Sequence, residues 1–191
     1  MSRCRHARLS CDMHLLALTG SLRARSINTE LLRAAALLAP DDTTITFSEA
    51  LGALPPFNPD LDEEGMLPPA PVAQLRAAIG AADGLLISCP EYAHGVAGSF
   101  KNLLDWLVSS PVMVGKPVCV LSASASSRFG PAQLTETLRT MSALVVTGEA
   151  VTVPVNGRRL DAAAIAADAL LRGELTNAMA HVAAAVNAPQ T

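Results

Sequence analysis

Three short polar stretches carry the residues that could do chemistry. The first is Gly20-Ser21-Leu22-Arg23-Ala24-Arg25-Ser26-Ile27-Asn28. It follows the apolar run His14-Leu15-Leu16-Ala17-Leu18 and precedes a helical pattern. A loop that joins a buried strand to a helix start presents backbone N–H groups without intrahelical partners, and these favour an anion. Ser21, Ser26 and Asn28 add side-chain donors, while Arg23 and Arg25 add positive charge. The stretch reads as a phosphate cradle whose donors suit one terminal phosphate. The alternative is structural: Ser21 caps a turn and both arginines are solvated. Neither GxGxxG nor GxxxxGK[ST] is present, which argues against a dinucleotide fingerprint and a nucleoside triphosphatase loop.

The second stretch is Pro90-Glu91-Tyr92-Ala93-His94-Gly95-Val96-Ala97-Gly98, and the third is Ser122-Ala123-Ser124-Ala125-Ser126-Ser127. His94 is either a proton donor or a maker of loop hydrogen bonds. Glu91 and Tyr92 have plain readings as a surface acid and a core filler, but their place on a loop favours a ligand or interface contact. No Ser-His-Asp set and no metal-ligand spacing stands out. Cys4, Cys11, His6 and His14 imitate a metal site only in a segment expected to be disordered.

These loops need a scaffold. Strands are expected over 14–18, 43–47, 84–89, 117–121 and 145–153, the last interrupted by Gly148. Helices are expected over 27–38, 72–82, 99–108 and 131–144, with a final Ala-rich helix over 161–186 that breaks near Gly173. Residues 51–71 form a long loop, and loops of that length are often functional. Strands alternating with helices imply right-handed βαβ units and a parallel sheet covered on both faces. The expected architecture is α/β and three-layered: a five-stranded sheet in the flavodoxin-like order 2-1-3-4-5. In that order ligands bind at the carboxyl ends of the strands, beside the first and third. The three polar stretches follow the first, third and fourth strands, so they converge on one edge.

The 191 residues suit one domain over 13–187, preceded by a disordered tail over 1–12, and Met13 offers an alternative start. The chain is 50% apolar and 16% charged, which marks a globular protein. Aromatics make up only 3%, so the core must be built from Ala, Leu and Val. A net charge of −3 argues against a nucleic-acid partner. No apolar run approaches a membrane span. Four scattered cysteines without a CxxC pair fit the reducing cytosol, hence a cytoplasmic protein.

Gly20-Ser21-Leu22-Arg23-x-x-Ser26-x-Asn28, together with Pro90-Glu91-Tyr92 and Gly98-x-x-Lys101-Asn102-x-x-Asp105-Trp106, resembles the NADPH-dependent FMN reductase family. Phe57-Asn58-Pro59-Asp60 and Ala82-Asp83 also look like family features. The resemblance covers roughly 15–150. It implies a flavodoxin-like fold and an oxidoreductase in which FMN carries the chemistry and no amino acid acts as nucleophile. The donor would be NADPH (or NADH). The acceptor would be a small molecule: free flavin, a quinone, an azo or nitro compound, or a metal oxyanion.

By that resemblance Ser21, Arg23, Ser26 and Asn28, with Ile27 among them, would hold the FMN phosphate. Pro90, Glu91, Tyr92, Ala93, His94 and Gly95 would line the isoalloxazine. Ser122, Ser124 and Ser126 would approach its pyrimidine side. A homodimer or homotetramer is implied, with Lys101, Asn102 and Asp105 organising a helix start and a subunit contact. Trp106 is core or interface. Cys89 and Cys119 are buried hydrophobes, and Cys89 lies near enough to the flavin edge for a redox role to stay open. Two departures matter: Ala93 stands where many members have Asn, and Ala97 where many have Pro. Losing the proline removes a fixed φ and implies a looser loop. The rival reading is a non-enzymatic FMN electron carrier of flavodoxin type, whose cradle would be Thr/Ser-Gly-rich without an arginine.

Overall fold

The computed structural model describes residues 13–155 and 157–188. The expected tail, its cysteines and the alternative start lie at or outside the edge of the described residues. The fold begins with β1 (Met13–Thr19), α1 (Ile27–Leu37) and β2 (Thr43–Phe47), then α2 (Ala70–Ala81) and β3 (Gly84–Ser88). A short hairpin, β4 (Glu91–Tyr92) and β5 (Gly95–Val96), precedes α3 (Gly98–Asp105). There follow β6 (Pro117–Ser122), α4 (Phe129–Thr140), β7 (Leu144–Val145), β8 (Val151–Thr152), α5 (Ala162–Ala167) and α6 (Ala169–Val186).

The main sheet is parallel, in the order β2-β1-β3-β6-β7, with β8 also paired to β6. Its first four positions follow the expected order. The fifth is corrected: two two-residue strands share one partner in place of a single strand, which makes the sheet six-stranded. Gly148 sits at φ +72° between them, and its N–H bonds back to the Val145 carbonyl at 3.0 Å. That turn takes the chain off the sheet and returns it to β6 one step further along.

Period-two alternation divides the core. Leu16 and Leu18 of β1, Leu85 and Ile87 of β3, and Val118 and Val120 of β6 face α2, α3 and α4. Leu15, Ala17, Leu86, Cys119 and Leu121 face α1, α5 and α6. Every residue of β3 is buried, as a central parallel strand requires. Each fully buried leucine or isoleucine there contributes about 1.5–3 kcal/mol relative to exposure.

Two further expectations are corrected. The final helix breaks at Asp168, not near Gly173. Asp168 has φ −70° and ψ 120°, and its carboxylate accepts from the N–H groups of Leu170 and Leu171 at 3.1 and 3.2 Å, which starts α6 afresh. Gly173 lies inside α6 with open space around its Cβ position. The helix expected to reach 144 stops at Thr140, because Ser142 turns at φ +60° and frees Leu144 to pair with Pro117.

The long loop is not free chain. Asn102 accepts from the Phe57 N–H at 2.7 Å and donates to the Pro55 carbonyl at 3.0 Å. The Trp106 indole donates to the same carbonyl at 2.8 Å, and its ring meets Phe57 edge-on at 5.0 Å. Asp62 accepts both arms of the Arg76 guanidinium at 3.0 and 2.7 Å. Asn102 and fully buried Trp106 therefore clamp this loop from α3. Among the described residues, no helix is long and apolar enough to cross a membrane.

Candidate functional site

The parallel register aligns Thr19 with Ser88, and Ser88 with Leu121. The loops after β1, β3 and β6 therefore leave the sheet at one level and on one edge. Gly20 begins the first of them, and its N–H donates to the Ser88 carbonyl at 2.8 Å. A Cβ there would lie 2.8 Å from the Cys89 backbone Cα, so only glycine allows the two loops to touch.

Within the cradle Ser21, Ser26 and Asn28 are buried, at 8%, 4% and 7% exposure. Ser26 is the N-cap of α1, with φ −108° and ψ 123°, and its Oγ accepts from Thr29 N–H at 3.5 Å. The turn reading of Ser21 is realised as well: its Oγ accepts from Arg23 N–H at 3.3 Å. Neither contact uses the hydroxyl hydrogen. Ser88 Oγ lies 3.0 Å from both Asn28 Oδ1 and the Leu121 carbonyl. The single Ser88 hydroxyl hydrogen can serve only one of them, and the Asn28 amide keeps at least one N–H without a partner among the described residues. Arg23 and Arg25 are exposed, and neither is in an ion pair among the described residues. Buried hydroxyl and amide donors at a helix N-terminus, with the exposed Arg23 in the same loop, match the chemistry of a phosphate monoester. Ile27, half-buried, opens α1 and packs against the core rather than adding a polar group.

The second loop is an antiparallel hairpin, with Glu91 opposite Val96 and Tyr92 opposite Gly95. Its two turn residues, Ala93 and His94, sit at φ +49° and +60°. Turns of this handedness favour Asn-Gly because other residues strain in the left-handed region. Ala93→Asn is therefore expected to raise stability by about 0.5–1 kcal/mol, measured as an increased urea midpoint at constant slope. An unchanged or lowered midpoint would show that the turn is not strained. Ala97 holds φ −51° and ψ 132°, the conformation a proline would impose. It thus holds a proline-like conformation without the ring that would fix it.

The hairpin is docked on α4. One Glu91 carboxylate oxygen accepts from Gly130 N–H at 2.8 Å, and Gln133 Oε1 accepts from Val96 N–H at 2.8 Å. His94 makes no hydrogen bond among the described residues; its ring stacks on Phe129 at 4.5 Å. Tyr92 is 54% exposed. Cys89 donates its thiol hydrogen to the Pro90 carbonyl at 3.4 Å. Burial pushes the Cys89 thiol up to about 11 and that of Cys119 up to about 12. Burial therefore favours the neutral thiol at both positions.

In the third loop Ser122 Oγ donates to the Ser124 carbonyl at 3.1 Å, and the Ser124 and Ser126 hydroxyls lie 2.8 Å apart. Ser122 also lines a cleft of about 400 Å³ toward α4 and β8, with Arg128, Thr135, Arg139 and Glu149. None of the cradle residues borders that cleft. Sequence reasoning missed Ser88, Phe129 and Gln133. A lone polar residue at the end of an apolar strand was the available signal for Ser88; the other two had none.

A parallel sheet in this order, with three polar loops on its carboxyl edge, defines a flavodoxin-like α/β protein. The flavoenzyme NAD(P)H:(acceptor) oxidoreductase FerB from Paracoccus denitrificans shares the fold, with a TM-score of 0.66 at 24% identity over 90% of this chain and 96% of that one. The sequence model of the NADPH-dependent FMN reductase family matches residues 13–157, and the chain belongs to that family. An NAD(P)H-dependent FMN reductase of Pseudomonas aeruginosa is 40% identical over 133 residues, covering 69% of this chain and 70% of that protein. A quinone reductase of Escherichia coli is 34% identical over 119 residues, covering 61% and 62%. Membership makes this chain an FMN-dependent oxidoreductase with NAD(P)H as electron donor.

Proposed function

We propose that the chain reduces quinone-type acceptors with electrons from NADPH, with FMN seated across the three loops of the carboxyl edge. The observation that carries the site is the cradle: three buried polar side chains with donor hydrogens to spare, in one loop with Arg23, which has no ion pair among the described residues. Bound FMN supplies the two-electron chemistry that links donor to acceptor. The chain's own residues bind and orient. Ser21, Ser26 and Asn28 hold the phosphate by hydrogen bonds, Ile27 fixes the helix start, and Arg23 offsets the charge. Pro90, Glu91, Tyr92, Ala93, His94 and Gly95 form a rigid wall for the ring, because Glu91 ties the hairpin to α4. Ser122, Ser124 and Ser126 offer polar partners to its pyrimidine edge.

The names of the relatives support a quinone acceptor, and the family resemblance supports a homodimer or homotetramer, although Asn102 and Trp106 are engaged within their own chain. Four scattered cysteines without a CxxC pair support a cytoplasmic setting. The test is the visible spectrum of the purified protein before and after anaerobic NADPH. A yellow protein that bleaches rapidly, and regains its colour on adding a quinone, is expected. A yellow protein that NADPH cannot bleach would point to an electron carrier. A colourless protein that cannot be reconstituted with FMN would end both flavin readings.

A further inference from the structure

We infer that the His94–Phe129 ring pair is the docking face for a planar aromatic acceptor, with Phe129 determining specificity. The inference rests on the flavin reading above.

The chain is poor in aromatics, with one Tyr, one Trp and four Phe. Trp106 and Phe100 are fully buried in the core. Tyr92 and Phe129, by contrast, are 54% and 55% exposed at the ligand edge. Phe129 opens α4 directly after the serine loop, and Tyr92 and His94 lie on the hairpin after β3. Their parent strands, β3 and β6, are neighbours in register. Both aromatic positions therefore border the loops assigned to the flavin ring.

The pair is also built to stay in place. Gly130 N–H to Glu91 and Val96 N–H to Gln133 fasten hairpin and helix on either side of it. At Gly130 a Cβ would meet the Glu91 side chain at 3.0 Å, so the approach is close. His94 is held in the left-handed region, which points its ring at Phe129 at a 30° tilt and 4.5 Å. That stack uses part of Phe129 and leaves more than half of it facing solvent. Exposed rings so fixed cost hydration and add no core. A planar quinone ring gains stacking and apolar burial against them, whereas Phe129 offers no donor to a compact inorganic acceptor.

The experiment compares Phe129→Ala, Phe129→Leu and Phe129→Trp with the parent holoenzyme. For each, kcat/KM with a naphthoquinone is divided by kcat/KM with ferricyanide. Binding of 2-naphthol, which is not reduced, is followed by ligand-observed NMR titration of the FMN-loaded protein. Loss of one stacking partner is expected to lower the kinetic ratio and weaken 2-naphthol about tenfold in Phe129→Ala and Phe129→Leu. Phe129→Trp is expected to keep both near the parent. Phe129→Leu guards against a packing defect, since it keeps apolar volume and removes only the ring. Ratios and affinities within twofold of the parent in all three variants overturn the inference while leaving the flavin reading standing. A parent protein that takes up no FMN overturns both.

Discussion

Arg23→Ala is expected to weaken FMN retention by about tenfold to about a hundredfold while leaving the apoprotein's stability almost unchanged. Charge-assisted hydrogen bonds to a phosphate are worth roughly 1.5–3 kcal/mol each, and about 1.4 kcal/mol is a factor of ten in affinity. Arg23 is exposed and takes part in no ion pair among the described residues, so apo folding does not depend on its side chain. Its loss should change unfolding by less than about 0.5 kcal/mol. FMN titration and urea midpoints of the two apo forms make the comparison. Equal FMN affinity would remove Arg23 from the site. A large drop in apo stability would show instead that the arginine is a structural residue. Arg25 is the natural control, as an exposed cation in the same loop that carries no assigned role.

Arg76→Ala is expected to cost about 2 kcal/mol of stability, a sizeable fraction of what holds a protein of this size folded. The guanidinium is only 15% exposed and meets Asp62 as a fork. Its Nε donates to the Trp106 carbonyl at 3.0 Å, and Nη2 also donates to Ser109 Oγ at 2.9 Å. Removing it uncovers a carboxylate that is 7% exposed with the guanidinium in place and leaves it Ser109 Oγ as a side-chain donor. It also unlatches the 51–69 loop from α2, so limited proteolysis should cut there first. Arg76→Lys should recover little, since a single ammonium cannot reproduce the planar fork.

The effect carries a pH signature. The hydrogen bond from Arg76 holds the Asp62 carboxyl below its ordinary value, against burial, which pushes it up. A carboxyl lowered in the folded state contributes stability above its unfolded value of about 3.9 and loses it as pH falls through the folded value. The stability gap between parent and Arg76→Ala should therefore be full at neutral pH and shrink in acid below about pH 4. A gap that is the same at both ends, or smaller than about 1 kcal/mol at neutral pH, would mean the pair is not a stabilising latch.

The position of Asp62 and Arg76 illustrates where local reading stops. They are separated by 14 residues, and Arg76 reaches Trp106 across 30. The sequence marks 51–71 as a long loop with Pro and Gly breaks, and nothing local says what fastens it. Asn102 and Trp106 were legible as motif residues, but their part as the clamp on Pro55 and Phe57 follows from the packing of α3 against the loop. At the fifth sheet position the sequence shows a β-rich run with a glycine inside it. Whether that glycine interrupts one strand or separates two depends on β6 being long enough to accept both.

The final helix gives the same lesson in reverse. An Ala-rich run favours helix throughout, and Gly173 is its worst helix former. Yet Gly173 stays helical, at a cost of about 1 kcal/mol relative to alanine, and the break falls at Asp168. There the carboxylate caps two N–H groups and meets Arg158 at 2.9 Å. Arg158 lies ten residues back and beyond a turn, so helix propensity alone does not reveal the bond.

The sequence by itself determined the alternation of strands and helices, the apolar faces of both, and the three polar loops, the first of which carries Ser21, Arg23, Ser26 and Asn28. Period-two and period-3.6 patterns, caps and glycine are local signals, and those features are local. Tertiary structure alone decided how the loops meet. Ser88 reaches Asn28 across 60 residues, Gly20 lies against Cys89, and Glu91 joins the hairpin to Gly130 across 39. It also set the left-handed turn at Ala93 and His94 and stacked His94 on Phe129. Such contacts join segments that no local pattern couples, and they exist only once the parallel register has brought three strand ends to one level.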